Sequence, residues 1–402
     1  MRRISKIFLI AVMLVLSSVG AMAQADDGYV LLPDSSNFVK ASLMVVSPGE
    51  DIYSALGHCA IRLECPIHEL DYCFSFGTNT FTANECLKFL PGSLDCGFVA
   101  IPTKEFLTGY SREGREVKLT ELNLTLHEQQ RLWEMLDKDM VEGDYRKFNY
   151  RQNNCASMVL YVIEWSLIDE QIIYGKWPDI MQCDDGTCLR YLSRHRPWFS
   201  FINVTVLGTQ IDGFSSQQER ISPELINEVL AAARIVPNDS ASAVRPVFKS
   251  ATQQILPLTK PVKTSPFTPM VVFGILLALV VAITLLEWLA GWRRLARVTD
   301  VVLLVCQTLV GMAMLYICLG ACMFGLNWNW YLVVFNPLPL ILWLLLHKRQ
   351  FYNRVYLVYT IILLAFVAMT PLVSQLDIEH QLITLTFALR CASNYLMPQK
   401  RI

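Results

Sequence analysis

The period of apolar positions changes repeatedly along the chain, and each change marks a new element. Arg2, Arg3 and Lys6 precede the unbroken apolar run IFLIAVMLVL, and small residues recur at Ala21 and Ala23. That order predicts a secretory signal peptide over 1–23, cleaved before Gln24. Shorter patterns follow. ASLMVV (41–46) reads as a strand. HCAIRLE (58–64) and DYCFSFG (71–77) alternate in steps of two around turn residues such as Pro66, which predicts a hairpin. TLHEQQRLWEMLDKDM (125–140) switches to helical spacing, with Thr125 and Glu128 as a capping box ahead of Leu132, Leu136 and Met140. A further helix follows Asn154, where Met158, Val159, Val162 and Ile163 recur on one face. The mixture predicts an α+β domain over 24–235.

Periodicity then stops. Residues 236–268 are rich in Pro, Ser and Thr and read as a flexible tether with an end-to-end reach of roughly 30 Å. Beyond them, 269–402 is dominated by apolar runs. The run at 270–288 is long enough to span about 30 Å of hydrocarbon. Others lie at about 300–323, 331–346 and 355–374, and a weaker one at about 380–397 is interrupted by Arg390. This predicts an all-α transmembrane bundle of about five helices. Arg293, Arg294 and Arg297, then Lys348, Arg349 and Arg354, then Lys400 and Arg401 cluster on one side of such a bundle. The bias toward basic residues on the cytoplasmic side predicts a multi-pass inner-membrane protein whose amino-terminal domain is periplasmic.

Composition changes this picture little. A chain 53% hydrophobic and 17% charged fits one soluble domain joined to one bundle. The net charge of −1 gives no reason to expect a nucleic-acid partner.

The twelve cysteines divide by position. Cys306, Cys318, Cys322 and Cys391 fall in apolar runs and read as packing residues. Eight lie in the soluble part, an even number that suggests disulfides in an oxidising compartment. Cys183 and Cys188 flank the turn sequence DDGT, Cys86 and Cys96 are a second local pair, and Cys65 and Cys73 a third. Cys59 and Cys155 are left over. No two pairs show the C-x-x-C spacing of a zinc site, so no metal or other cofactor is expected.

Cys155 stands where a nucleophile gains most. Asn154 is a good N-cap residue, which places the thiol in the first helical turn, among unpaired N–H groups that stabilise a thiolate or an oxyanion. Such a nucleophile needs a base, and histidine is the natural one. His68 falls in a turn, His127 on an exposed helix start and His195 in a basic loop. His58 opens an alternating strand directly after Gly57. With Ala60 and Arg62 it faces away from Cys59, Ile61 and Leu63. A hairpin centred near Pro66 and Ile67 sets His58 opposite Ser75, the candidate to orient the ring, and Arg62 opposite Asp71. Asp71 is the alternative orienter, and otherwise a cross-strand ion pair.

SPGEDIYSALGHCAIRL, DYCFSFG, FLPGSLDCGF, GREVKLTELNLTLHEQQRL and YRQNNCAS together resemble the Lnb N-terminal periplasmic domain family of Bacteroidetes envelope proteins. The likeness runs from about Val39 to Glu164. NWNWYLVVFNPLP (327–339) is similar to the Asn-rich start of a span in the membrane bundle that follows this domain in the family. More distantly, the order of His58, Ser75 and Cys155 resembles circularly permuted papain-like enzymes, including the lecithin:retinol acyltransferase-like group. That resemblance implies a permuted papain-like fold. It also implies a cysteine hydrolase or acyltransferase acting on an amide or ester of an envelope component: a peptidoglycan peptide, a lipoprotein or an amino-lipid. The chain departs from the family in having serine where asparagine is usual, and in lacking the aromatic that often follows the cysteine. Two other readings stay open: a non-catalytic binding or assembly module, and a transporter formed by the bundle.

Overall fold

The computed structural model describes residues 39–78, 82–208, 213, 215–239, 243–322, 326, 329–346, 352–369 and 377–397. The expected signal peptide lies outside them. So do Lys348, Arg349, Lys400 and Arg401 of the basic clusters.

The alternating segments become strands: β1 (Lys40–Val46), β2 (His58–Cys65) and β3 (Leu70–Gly77). Then come α1 (Ala83–Phe89), β4 (Asp95–Pro102), α2 (Thr103–Glu113), β5 (Val117–Glu121), α3 (Leu126–Glu142), β6 (Arg146–Lys147) and α4 (Cys155–Ser166). After these lie β7 (Glu170–Ile173), α5 (Asp185–Leu192), α6 (Pro197–Leu207), α7 (Ile226–Ala232), β8 (Arg234–Pro237), β9 (Arg245–Pro246) and β10 (Gln253–Leu256). The carboxy-terminal part is helical: α8 (Pro269–Ala290), α9 (Arg293–Leu319), α10 (Leu338–Leu346), α11 (Tyr352–Ala368) and α12 (Ile378–Leu396). The protein is a sheet-rich α+β domain followed by a helical domain.

The main sheet runs β10-β5-β1-β2-β3-β4-β6, with neighbours antiparallel. One face carries Leu43, Cys59, Ile61, Leu63 and Phe74 and packs on α3 and α4 through Leu132, Leu136, Val159 and Ile163. The other carries Met44, Ala60, Cys73 and Val117 against Phe106 of α2. Period-two alternation therefore does in three dimensions what it predicts, sending Cys59 into the core and turning His58 the other way. Helix α3 starts at the predicted capping box, where the Thr125 N–H donates to Glu128 Oε2 at 2.7 Å and the Glu128 N–H to Thr125 Oγ1 at 3.4 Å.

Three expectations need correction. The hairpin register differs by two residues, with Ala60 opposite Ser75, Arg62 opposite Cys73 and Glu64 opposite Asp71. A 3₁₀ turn at Pro66–His68, closed by Glu69 in the left-handed region at φ 54°, lengthens the connection and shifts the pairing.

The stretch read as a tether is in part ordered sheet. β10 pairs with β5, β9 pairs with β8, and Val247 is fully buried. Thr259 and Lys260 then both donate backbone N–H groups to the Gly114 carbonyl. Composition hid this because the partner is the otherwise open edge of β5, whose unpaired backbone groups favour an added strand. The sheet domain thus continues past residue 235, through Leu256.

All twelve cysteines are free thiols, so none of the expected disulfides is formed. Cys65 lies opposite Leu70 rather than Cys73. Cys73 instead contacts Met44 Sδ and Thr103 Oγ1, both at 3.3 Å. Cys86 sits on α1 and Cys96 on β4. Cys183 closes a 3₁₀ turn, while Cys188 is buried within α5, whose own cap is Asp184.

In the helical part, α8 and α9 are long and apolar enough to cross a membrane. The arginine that interrupts the last run is explained by its partners. The buried Arg390 guanidinium bonds Asp300 at 2.6 and 3.0 Å, Glu287 at 3.0 Å and Thr284 at 2.9 Å.

The two parts meet at α6. Its Trp198 and Phe201 pack on Phe273 of α8, and its Thr205 Oγ1 lies 2.9 Å from His380 Nε2 of α12. Asn329 donates to the Thr205 and Val206 carbonyls, and Arg190 pairs with Asp377 at 2.9 Å.

Candidate active site

Helix α4 begins at Cys155 because Asn154 caps it twice. Asn154 Oδ1 accepts from the Ala156 and Ser157 N–H groups, both at 3.0 Å, while Nδ2 donates to the Tyr150 carbonyl at 3.0 Å. The apolar positions of α4 then pack the helix on the sheet, which brings its first turn beside the start of β2. Gly57 makes that start possible. Its φ of +90° favours glycine, and a Cβ there would lie 2.7 Å from the Val46 carbonyl oxygen.

The consequence is a shared cavity of about 1100 Å³ lined by His58, Ser75, Asn154 and Cys155. His58 Nε2 and Ser75 Oγ are 2.5 Å apart. The expected partner is therefore correct, although it is reached diagonally rather than directly across. That bond leaves Nδ1 as the ring nitrogen for the sulfur. Asp71 is not the orienter. Both of its oxygens accept from Arg62 at 2.8 Å, and Thr103 Oγ1 donates to it at 2.6 Å.

Electrostatics set the resting state. Burial pushes the His58 ring down to about 4 from 6.5, and the Arg115 cation adds to the effect. His58 is thus neutral at neutral pH and free to accept a proton. Burial raises the Cys155 thiol above its ordinary value. The backbone N–H groups of Cys59, Ala156 and Cys155 itself and the Arg115 guanidinium oppose that shift without overcoming it. The resting pair is thiol and imidazole. Helix-start activation alone predicts the opposite, a lowered thiol, and the desolvation penalty wins. Among the described residues no hydrogen bond joins His58 to the Cys155 sulfur. The arrangement can still do nucleophilic chemistry: a thiol, a neutral base with a fixed far nitrogen, and N–H donors gathered at the sulfur.

Sequence reasoning missed several cavity residues. His195, set aside as a loop histidine, lines the wall, as do Arg115 and Arg196. Arg115 was visible only as the second residue of GREVKLTELNLTLHEQQRL, since a cation beside a strand normally faces solvent. Another part of the wall is apolar, contributed by Trp198, Phe199 and Ile202 of α6. Among the described residues no group of three His, Cys, Asp or Glu side chains is placed to hold a metal ion.

Comparison with protein families gives two matches. The model of the Lnb N-terminal periplasmic domain matches residues 34–182, and that of the Lnb transmembrane domain matches 261–402. No curated protein and no solved structure matches the chain.

Proposed function

We propose, for a chain that belongs to the Lnb family through both its periplasmic and its transmembrane domain, that the protein is a membrane-tethered thiol hydrolase or acyltransferase. Its substrate is an amide or ester of an envelope component. The observation that carries the reading is the convergence of His58, Ser75 and Cys155 on one cavity, with the far ring nitrogen already held by Ser75. The order of histidine strand, polar partner on the next strand and cysteine helix supports a permuted papain-like fold. In the same reading the bundle crosses the inner membrane five times, with its basic clusters in the cytoplasm.

The chemistry follows from the groups present. His58 Nδ1 takes the thiol proton as Cys155 Sγ bonds to the substrate carbonyl carbon, and the carbonyl electron pair moves to oxygen. Backbone N–H groups at the start of α4 hold that oxyanion. Its collapse breaks the bond to the leaving amine or alcohol, which departs with the proton from His58 and leaves a thioester on Cys155. Water, or an acceptor amine or hydroxyl, gives a proton to His58 and bonds to the thioester carbon. Collapse of that adduct breaks the bond from carbon to Sγ, the acyl product leaves as the acid or as the acylated acceptor, and His58 returns the proton to Sγ. Of the expected substrates, a lipoprotein or amino-lipid suits the apolar α6 wall better than a peptidoglycan peptide, because α6 also packs on α8 and an acyl chain would reach the cavity along it.

One observation favours a second reading, a non-catalytic binding or assembly module: the thiol is raised rather than lowered. An acyl-thioester activity probe applied to the full chain in its membrane separates the two, with the labelled residue located by mass spectrometry. Expected is a label on Cys155 that is lost in Cys155→Ala and His58→Ala. Turnover in the double variant should be no worse than in either single one, because members of one catalytic unit are not additive. An unlabelled Cys155 overturns the enzyme in favour of the module.

A further inference from the structure

Arg115 is 3% exposed, an unusual place for a guanidinium. Its Nε donates to the Ser47 carbonyl at 2.7 Å, its Nη1 pairs with Glu113 at 3.1 Å, and its cation sits 4.7 Å from the Tyr110 ring centroid. The remaining nitrogen, Nη2, is buried and has no hydrogen-bond partner among the described residues. Arg196 repeats the pattern on the same cavity. Its Nη1 donates to the Glu50 carbonyl at 2.9 Å, while its buried Nε has no hydrogen-bond partner among the described residues.

A buried charged donor left unsatisfied is costly, because desolvation is not offset by a bond. Two of them on the wall that also holds His58 and Cys155 are hard to account for as packing. Three acids line that wall: Asp185 is engaged by Arg151, Arg220 and Ser215, Glu219 by Gln152 and Ser216, and Glu50 acts on the Arg196 charge, but among the described residues none of them bonds either unpaired nitrogen. The geometry points to an anion subsite. We propose that Arg115, with Arg196, recognises an oxyanion group of the substrate, a phosphate or carboxylate close to the bond that Cys155 attacks.

The guanidinium suits this task, since its planar donors match the paired oxygens of such groups. The anion would complete the donor set of Arg115 and reduce the effect of its charge on His58 and Cys155. Binding would thereby make the ring a better base and the thiol harder to ionise alone, so that the proton passes directly between them. The word substrate rests on the proposed enzyme activity, whereas the binding itself does not.

The test is isothermal titration calorimetry on the full chain in an uncharged detergent. Cys155→Ala serves as the parent, so that no turnover intervenes and a failed catalytic reading leaves this measurement intact. Hexyl phosphate, hexanol and inorganic phosphate are the probes. Expected is binding of hexyl phosphate tighter than either hexanol or inorganic phosphate. Arg115→Met should weaken hexyl phosphate by about 10- to 100-fold and leave hexanol unchanged, with Arg115→Lys intermediate. Arg196→Gln, at a more exposed position, provides the second variant should Arg115→Met fail to fold. Hexyl phosphate binding no tighter than hexanol overturns the subsite, as does affinity unaffected by both substitutions. Inorganic phosphate binding equally well overturns its assignment to substrate and makes it a site for free anion.

Discussion

His58 and Cys155 face opposite demands from one environment. Both line the cavity but are surrounded by protein on their other sides, and that burial favours the uncharged forms: the ring is pushed down to about 4 and the thiol is raised. For the ring the sign is definite. Between pH 6.5 and about 4 the unfolded chain binds a proton on His58 that the folded chain does not. Its contribution to stability is therefore complete above pH 6.5 and declines as pH falls through that window. Chemical denaturation at pH 7, 5.5 and 4.5 should show this decline, and His58→Gln should make it shallower; an unchanged slope in the variant would assign it to other groups. For the thiol, iodoacetamide should modify Cys155 slowly at pH 7 and faster only above the ordinary thiol range. The residue types were readable from the sequence, as were Asn154 as cap and Ser75 as partner. The direction of the thiol shift was not, because it depends on how much protein surrounds the sulfur.

Elements place these residues, and the bonds that hold elements together carry measurable energy. Arg390 is the clearest case. On α12 it joins Glu287 of α8 to Asp300 of α9, while Asn394 adds a bond to Asp300 at 2.9 Å and Trp288 one to Ser393 at 3.0 Å. Removing the cation leaves two acids facing each other without compensation. Arg390→Met should therefore destabilise the full chain by about 3–5 kcal/mol, read as a lower unfolding midpoint in detergent. A midpoint within 1 °C of the unsubstituted chain would mean that water or lipid already satisfies these acids. The same network weakens the transporter reading, since the charges are occupied with one another rather than arrayed along a path.

At the scale of the molecule, α6 belongs to two cores at once. Its Trp198, Phe199 and Ile202 line the cavity of the sheet domain, and its Val204 is buried among residues of α8, α9, α11 and α12. A site on a free tether would sample distances of roughly 30 Å. The β10–β5 pairing and the α6 contacts instead hold the cavity beside the bundle. Orientation is the prediction at this scale. A reporter fused after Ile402 should behave as cytoplasmic, because a bundle crossing five times puts all three basic clusters on that side. Periplasmic phosphatase activity from that fusion would exclude the five-span topology.

Local rules made the strands, the capped helices, the apolar runs and the His58, Ser75 and Cys155 trio legible, since period, capping and side-chain type all act over a few residues. Long-range pairing decided the rest. The two-residue register shift came from a 3₁₀ turn that the spacing around Pro66 did not reveal. β10 became a strand because the edge of β5, more than a hundred residues earlier, was open to it. Arg115 became a buried cation only when the sheet, α2 and Tyr110 closed around it. Burial is a property of the folded surroundings, so neither the thiol's resistance to ionisation nor the unpaired guanidinium nitrogen could be read one residue at a time.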